Sequence, residues 1–270
     1  MGKIVLSKQR NAAKSRHVSF FYMLYAEEIK IRRTWILWMH ILMPLIGIAV
    51  FLSYYRVSMW SDWGKISGYI EAVSVICPAL VGFVCALSAE QEAQAGHFQN
   101  ILGTGRTRWK MLAAKLCFLL LWNLAAVSLA IGGFGIGFHF FVSETEVSAG
   151  FYISVILLIW ISQIFAYGFH LFLGLRFSKG ITIGAGVVES VTGALMLTGL
   201  GEGIWQWLPC AWAGRLSGYW VRIASGTGID EAVILEQMKF GGAVAAGITL
   251  IGIGALCWWF SRYEGRQVED

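Results

Sequence analysis

Long apolar runs separated by short polar stretches set the pattern of this chain. Six runs approach the roughly 20 residues, at 1.5 Å each, that cross a hydrocarbon core: 34–54, 67–89, 111–140, 150–175, 180–201 and 240–260. The runs are continuous and do not alternate apolar with polar. In lipid only helices and closed barrels satisfy the backbone, and continuous runs select helices. The run 111–140 is long and carries Gly132, Gly133, Gly135 and Gly137 at its far end, where a tilt or a break is expected.

The polar stretches fix an orientation. With the N-terminus inside, Lys3, Lys8, Arg10, Lys14, Arg16, Lys30, Arg32, Arg33, Arg106, Arg108, Lys110, Lys115, Arg176, Lys179, Arg262 and Arg266 fall on the inner side, most of the 21 basic residues. Arg56, Lys65, Arg215, Arg222 and Lys239 fall outside. The positive-inside bias predicts cytoplasmic termini. Residues 1–17 are basic, but no apolar run follows directly, so a cytoplasmic start is expected and not a cleaved signal peptide.

Residues 18–33, V-S-F-F-Y-M-L-Y-A-E-E-I-K-I-R-R, lack a clean apolar stripe. Their aromatic bulk followed by charge fits an interfacial helix; the plainer reading is a longer first span with a charged end. The outer region 202–239 holds Trp205, Trp207, Trp212, Tyr219 and Trp220 with Pro209. Such aromatics favour the membrane–water boundary, so short helices lying at the outer interface or dipping into it are expected.

Composition agrees. The 270 residues are 57% hydrophobic and 14% charged, against about 25% charged in soluble domains; the mean hydropathy is +0.64. The net charge of +5 comes from basic residues at the ends of apolar runs, which argues against nucleic-acid binding. Five cysteines without a C-x-x-C pair make neither a disulfide framework nor a zinc site. The five histidines are scattered. No G-x-x-x-x-G-K-[ST], H-E-x-x-H or G-x-S-x-G occurs, so no ATP-binding P-loop, zincin or hydrolase elbow is expected.

Three places carry candidate chemistry. Between Glu90 and Lys115 the chain reads E-Q-E-A-Q-A-G-H-F-Q-N-I-L-G-T-G-R-T-R-W-K-M-L-A-A-K. Phe98, Ile101 and Leu102 give a small apolar face among polar residues, which a short helix can seat in a partner's groove. Arg106, Arg108 and Lys110 follow, suited to an anionic inner leaflet. A merely solvated loop with positive-inside charge explains the same residues. Glu189, in the middle of 180–201, either lines a path for a cationic peptide or is a structural carboxyl that locks helices, with Ser190, Thr182 and Thr192 as hydrogen-bond partners. Gly184, Gly186 and Gly193 with Ala185 and Ala194 make a small-residue packing face. Trp205, Trp207, Trp212 and Trp220 are either boundary anchors or contacts for an outer-face peptide.

The loop resembles the first cytoplasmic loop of ABC-2-type transporter permeases, and most closely that of lantibiotic (bacteriocin) immunity permease subunits. Glu92, Ala95, Gly96, Phe98, Gln99, Asn100 and Leu102 fall on that family's motif, with Arg106, Arg108, Lys110 and Lys115 after them. Residues 26–34, A-E-E-I-K-I-R-R-T, also resemble the family's start. Gly103-Thr104-Gly105 departs from the Pro-containing turn of many relatives.

The resemblance implies an all-α membrane protein of the ABC-2-type exporter fold, with six transmembrane helices, an N-terminal interfacial helix and a cytoplasmic coupling helix. Residues 1–33 would be the cytoplasmic N-terminus and interfacial helix, 34–260 the permease domain and 261–270 a cytoplasmic tail. It implies a multi-pass protein of the bacterial plasma membrane and two copies of a separate ATP-binding subunit, contacted through Glu92, Gly96, Phe98, Gln99, Asn100 and Leu102. It further implies a second, non-identical permease subunit and an amphipathic antimicrobial peptide as substrate, expelled for self-protection. The chain itself would bind no cofactor and perform no catalysis; ATP and Mg²⁺ would belong to the partner. The alternatives are an ABC-2 exporter of another amphiphile, a carrier or channel without an ATPase, and a membrane sensor or scaffold.

Overall fold

A computed structural model describes residues 20–32, 34–94, 108–145, 147–227 and 230–265. Among the described residues the regular structure is helical. Helix α1 is Phe20–Ile31, α2 Trp35–Tyr55, α3 Asp62–Gln94, α4 Arg108–Phe141, α5 Ala149–Ser162, α6 Ile164–Arg176 and α7 Lys179–Met196. Two short 3₁₀ turns, Gly199–Gly201 and Trp205–Trp207, lead to α8, Pro209–Ser225, and α9, Glu231–Ser261.

Five segments are long and apolar enough to cross a membrane: α2, α3, α4, the pair α5–α6 and α9. Each overlaps an expected run. The remaining run, 180–201, is a helix only from Lys179 to Met196 and is not among the five. Lys179, Glu189 and its many small and hydroxyl residues lower its hydropathy.

Local chemistry sets the helix ends. The hydroxyls of Ser148 and Ser178 accept from the backbone N–H of Phe151 and Ile181 at the starts of α5 and α7, and Asp230 accepts from Ala232 at the start of α9. These are N-caps for otherwise orphaned donors. Pro209 opens α8, and Gly226 closes it at φ +64°, a left-handed conformation that a residue with a Cβ adopts only with strain. The expected span over 150–175 is present as one segment, Ala149–Arg176, built of two helices that meet at Gln163, whose N–H bonds back to Trp160 O at 3.2 Å.

Helix α3 is the centre of the bundle and packs on α7, α6 and α8, while α4 packs on α2, α5 and α1. The α3–α7 approach is close. A Cβ on Gly186 would lie 2.7 Å from Pro78 O, and one on Gly82 2.9 Å from Thr182 O. Small residues permit such an approach where lipid supplies no hydrophobic drive between helices. Pro78 lacks an N–H, and the next donor, Ala79 N, crosses to Ser190 Oγ at 3.0 Å.

Helix α4 runs unbroken through its glycines, so of the tilt or break expected there the break is absent. These glycines instead receive side chains from neighbours: a Cβ at Gly133 would meet Ile48, at Gly135 the Tyr152 ring and at Gly137 Leu52. Tyr69 stacks on Phe134 in the same layer, with ring centroids 3.8 Å apart. Helix α1 is separate from α2 and packs against α4. It buries Met23, Glu27 and Ile31 and exposes Phe21, Tyr22 and Tyr25.

Helix α8 sits inside the bundle against α3, α5, α9 and α7. Its buried Arg215 reaches over the end of α7, donating to Met196 O at 2.6 Å, Thr198 O at 2.7 Å and Glu202 Oε1 at 2.8 Å. A guanidinium here satisfies terminal carbonyls and complements the helix dipole.

Candidate functional site: a buried charge cluster at the neck of the polar loop

The polar loop leaves the bundle at the end of α3 and returns at the start of α4. Gly96, Phe98, Gln99, Asn100, Leu102 and Arg106 lie outside the described residues. What the structure describes is the neck, and the neck is built from charge.

Lys115, in the second turn of α4, is only 1% exposed. Its Nζ donates to Glu27 Oε2 of α1 at 2.6 Å and to Ser88 Oγ of α3 at 3.2 Å. The same Nζ lies 2.9 Å from Glu92 Oε1, near the end of α3. Lys30, one turn beyond Glu27 on α1, closes the ring. Its Nζ is 2.7 Å from Glu27 Oε1 and 2.6 Å from Glu92 Oε1. Gln91 Nε2 adds a bond to Lys30 O at 2.8 Å. Two ammoniums and two carboxylates thus alternate, so the cluster is neutral as a whole.

Each element has a reason to be there. A carboxylate near a helix C-terminus faces the negative end of the dipole; two lysines on Glu92 offset that. Taking these charges out of water costs several kcal/mol per ion, so they persist only when mutually paired and hydrogen-bonded. Glu92 Oε2 is buried and makes no hydrogen bond among the described residues. Three helices are therefore joined by side chains that cannot separate cheaply.

The sequence singled out Glu92 and Lys115 as residues of the loop; the structure turns both inward and unites them. Glu27 and Lys30 were legible only as part of a charged stretch, because nothing in their local spacing indicates a partner on α3. Arg108, expected in the basic cluster, donates through Nη1 to Tyr263 O at 3.0 Å, and the Tyr263 hydroxyl donates to Leu175 O. The loop exit is thereby tied to the ends of α9 and α6. Lys110 lies over the Trp109 ring, 5.7 Å from its centroid.

Glu189 stands elsewhere. Its Oε2 lies 3.1 Å from Nε2 of the fully buried His170, and its side chain is one-quarter exposed. The hydroxyls expected to serve it are engaged otherwise. Thr182 and Thr192 donate to carbonyls of their own helix, Ser178 O and Val188 O, and Ser190 binds α3. His170 was one of the scattered histidines, with no spacing to mark it. Among the small residues of α7, Gly186 and Gly193 make close backbone approaches, while Gly184 has open space.

The four tryptophans also part company. Trp205 and Trp212 are completely buried, and Trp212 Nε1 donates to Gln206 O at 2.8 Å. Trp220 is partly buried. Trp207 is the exposed member of the four, at 60%.

A family model described as ABC-2 family transporter protein matches residues 23–195, well over half of the chain. No curated protein and no solved structure matches it. The matched span starts within α1, contains every member of the charge cluster and ends within α7.

Proposed function

The chain belongs to the ABC-2 family of transporter proteins, and from that premise we propose that its charge cluster couples a docked ATP-binding subunit to movement of the spans. Family membership makes it a multi-pass membrane component of an ABC transporter, with an ATP-binding partner subunit and a transport role that is not itself catalytic.

The observation that carries the proposal is the Glu27–Lys115–Glu92–Lys30 ring, which fastens α1, α3 and α4 together where the polar loop begins and ends. A force applied to the loop through Gly96, Phe98, Gln99, Asn100 and Leu102 then moves three helices as one body. Glu92 acts in this reading as the anchor of the loop. Arg106 and Lys110 face the inner leaflet or the partner, and Arg108 ties the loop exit to α9. ATP and Mg²⁺ belong to the partner. Closure of the partner subunits shifts the population between two arrangements of the spans.

The finer reading follows the resemblance. Residues 34–260 form one permease domain, with α7 as a sixth span; α1 lies at the inner interface, and both termini are cytoplasmic in a bacterial plasma membrane. Two ATP-binding subunits and a second, non-identical permease complete the assembly. The substrate is an amphipathic antimicrobial peptide of the lantibiotic type, and Trp207 is the exposed one of Trp205, Trp207, Trp212 and Trp220 available to it. Glu189 is a helix lock through His170.

One experiment tests the central claim. Photo-cross-linkers at Phe98 and Asn100 in intact cells should capture an ATP-binding subunit, and that subunit should copurify. Retained capture with loss of transport in Lys115→Met, the chain still in the membrane, supports transmission through the ring. An outward-facing loop, or no captured ATPase, defeats the proposal.

A further inference from the structure

A second feature lies away from the loop. Between α2, α3 and α4, at the level of the break between α5 and α6, is a cavity of about 330 Å³. That is at the small end of ligand pockets. Its wall is apolar and includes Met43, Val73 and Ile76. Met43, Ile46, Val50 and Ile76 are 42% to 59% exposed, so the cavity opens sideways on the outer surface of this chain.

Its polar groups set it apart from an ordinary packing defect. Asn123 and Gln163 both line it and are 6% and 4% exposed. Among the described residues Asn123 Nδ2 and Gln163 Oε1 are buried without a hydrogen-bond partner, and Gln163 Nε2 has no nitrogen or oxygen partner but lies beside the weakly accepting Cys77 sulfur. Buried amides are nearly always satisfied, and an open donor on Asn123 and an open acceptor on Gln163 around one cavity ask for a ligand that both donates and accepts. Gln163 is free to do this because it sits at the helix break. His40 is committed through Nδ1 to Ile36 O at 2.7 Å. None of the lining residues is Asp, Glu, Lys or Arg, so a charged headgroup would be buried unpaired, which is unfavourable.

We propose that this cavity binds the hydroxyl end of a neutral, single-chain lipid that enters sideways from the bilayer, with Asn123 and Gln163 holding the hydroxyl. A hydroxyl both donates and accepts, which matches the Asn123 amide N–H and the Gln163 amide oxygen. The site lies within one chain and is separate from the charge cluster. It does not depend on what the transporter moves.

The test uses the full chain in lipid nanodiscs and a twelve-carbon alcohol carrying a mid-chain diazirine. Matched hydrocarbon, carboxylate and trimethylammonium probes serve as references. The alcohol should label Met43, Val73 or Ile76 and be competed by 1-dodecanol. It should exceed the hydrocarbon by about fivefold, the factor one net hydrogen bond supplies. Asn123→Leu and Gln163→Leu should each lower that preference without loss of folded protein, because they remove unpartnered groups. Gly47→Leu is the independent variant. A Cβ there meets only the Tyr69 hydroxyl at 3.9 Å, so the added side chain fills the cavity and should abolish labelling. Equal labelling by alcohol and hydrocarbon overturns the proposal, as does stronger labelling by either charged probe. Labelling no greater than at the exposed Leu250 and Ile251 of α9 overturns it too. So does protein cross-linking at Met43 or Ile76 in native membranes that shows a second subunit covering the opening.

Discussion

Lys115 Nζ lies 2.9 Å from Glu92 Oε1, so the first turns of α4 are pinned to the last turns of α3 across the whole polar loop. Neither side chain is more than 1% exposed. Removing one partner from such a pair leaves a buried charge with too few opposing ones, which costs about 3–5 kcal/mol. Lys115→Met should lower the unfolding free energy in detergent by that order. The double variant Glu92→Gln/Lys115→Met should cost less than the sum of the single changes. A double-mutant cycle read by thermal or denaturant unfolding checks this; additive effects would mean that the two residues are not coupled.

The carboxyl of Glu189 meets His170 and is partly open. Glu189→Gln keeps an acceptor for the imidazole and removes the charge. The expected outcome is a stability change within about 1 kcal/mol and near-normal resistance of cells to the peptide proposed above as substrate. Loss of resistance with normal membrane levels would instead give the charge a part in moving substrate.

Gly186 and Gly184 are a matched pair. A Cβ at Gly186 meets Pro78 O at 2.7 Å and Ala79 Cα at 3.2 Å, whereas one at Gly184 meets nothing within 4 Å. Gly186→Ala should push α7 from α3 and destabilise by about 1–3 kcal/mol. Gly184→Ala should be neutral or slightly stabilising, since alanine is the better helix former. Melting temperatures of the two purified variants decide it, and equal values would refute the close packing.

Arg215 makes three bonds around the end of α7, two of them to backbone carbonyls. Arg215→Met should lose on the order of 3 kcal/mol, and Arg215→Lys should recover only part, because an ammonium cannot reproduce the planar fork. Glu202 is mostly exposed, so Glu202→Gln should change stability by less than about 1 kcal/mol. Chemical denaturation of the three variants measures the ranking; a Glu202→Gln effect as large as that of Arg215→Met would overturn it.

How much of this was legible beforehand depends on the kind of signal. Apolar length marks a span, so α2, α3, α4, the α5–α6 segment and α9 could be read from composition alone. A one-residue interruption inside an apolar run has no such signature, and the break at Gln163 was hidden among Ile161, Ser162 and Ile164. The glycines of α4 read as breakers because a sequence cannot show the Tyr152 and Leu52 side chains that lodge against them. The tryptophans near α8 read as boundary residues because indole suits both a boundary and a core, and only the fold shows that Trp205 and Trp212 are enclosed. Lys115 and Glu92 could be named singly, but their union with Glu27 and Lys30 is a long-range fact that no local pattern records.

Helices α3 and α4 have 33 and 34 residues, which makes each roughly 50 Å long at 1.5 Å per residue. The hydrocarbon needs only about 30 Å of that. Their shared end, where the buried charges sit, is therefore a long arm beyond any pivot near mid-bilayer. A rocking of about 10° over a 25 Å arm displaces its tip by roughly 4 Å. Geometry alone gives the molecule leverage: a modest sideways push on the tip becomes a small, strong rotation of the two longest helices within the lipid.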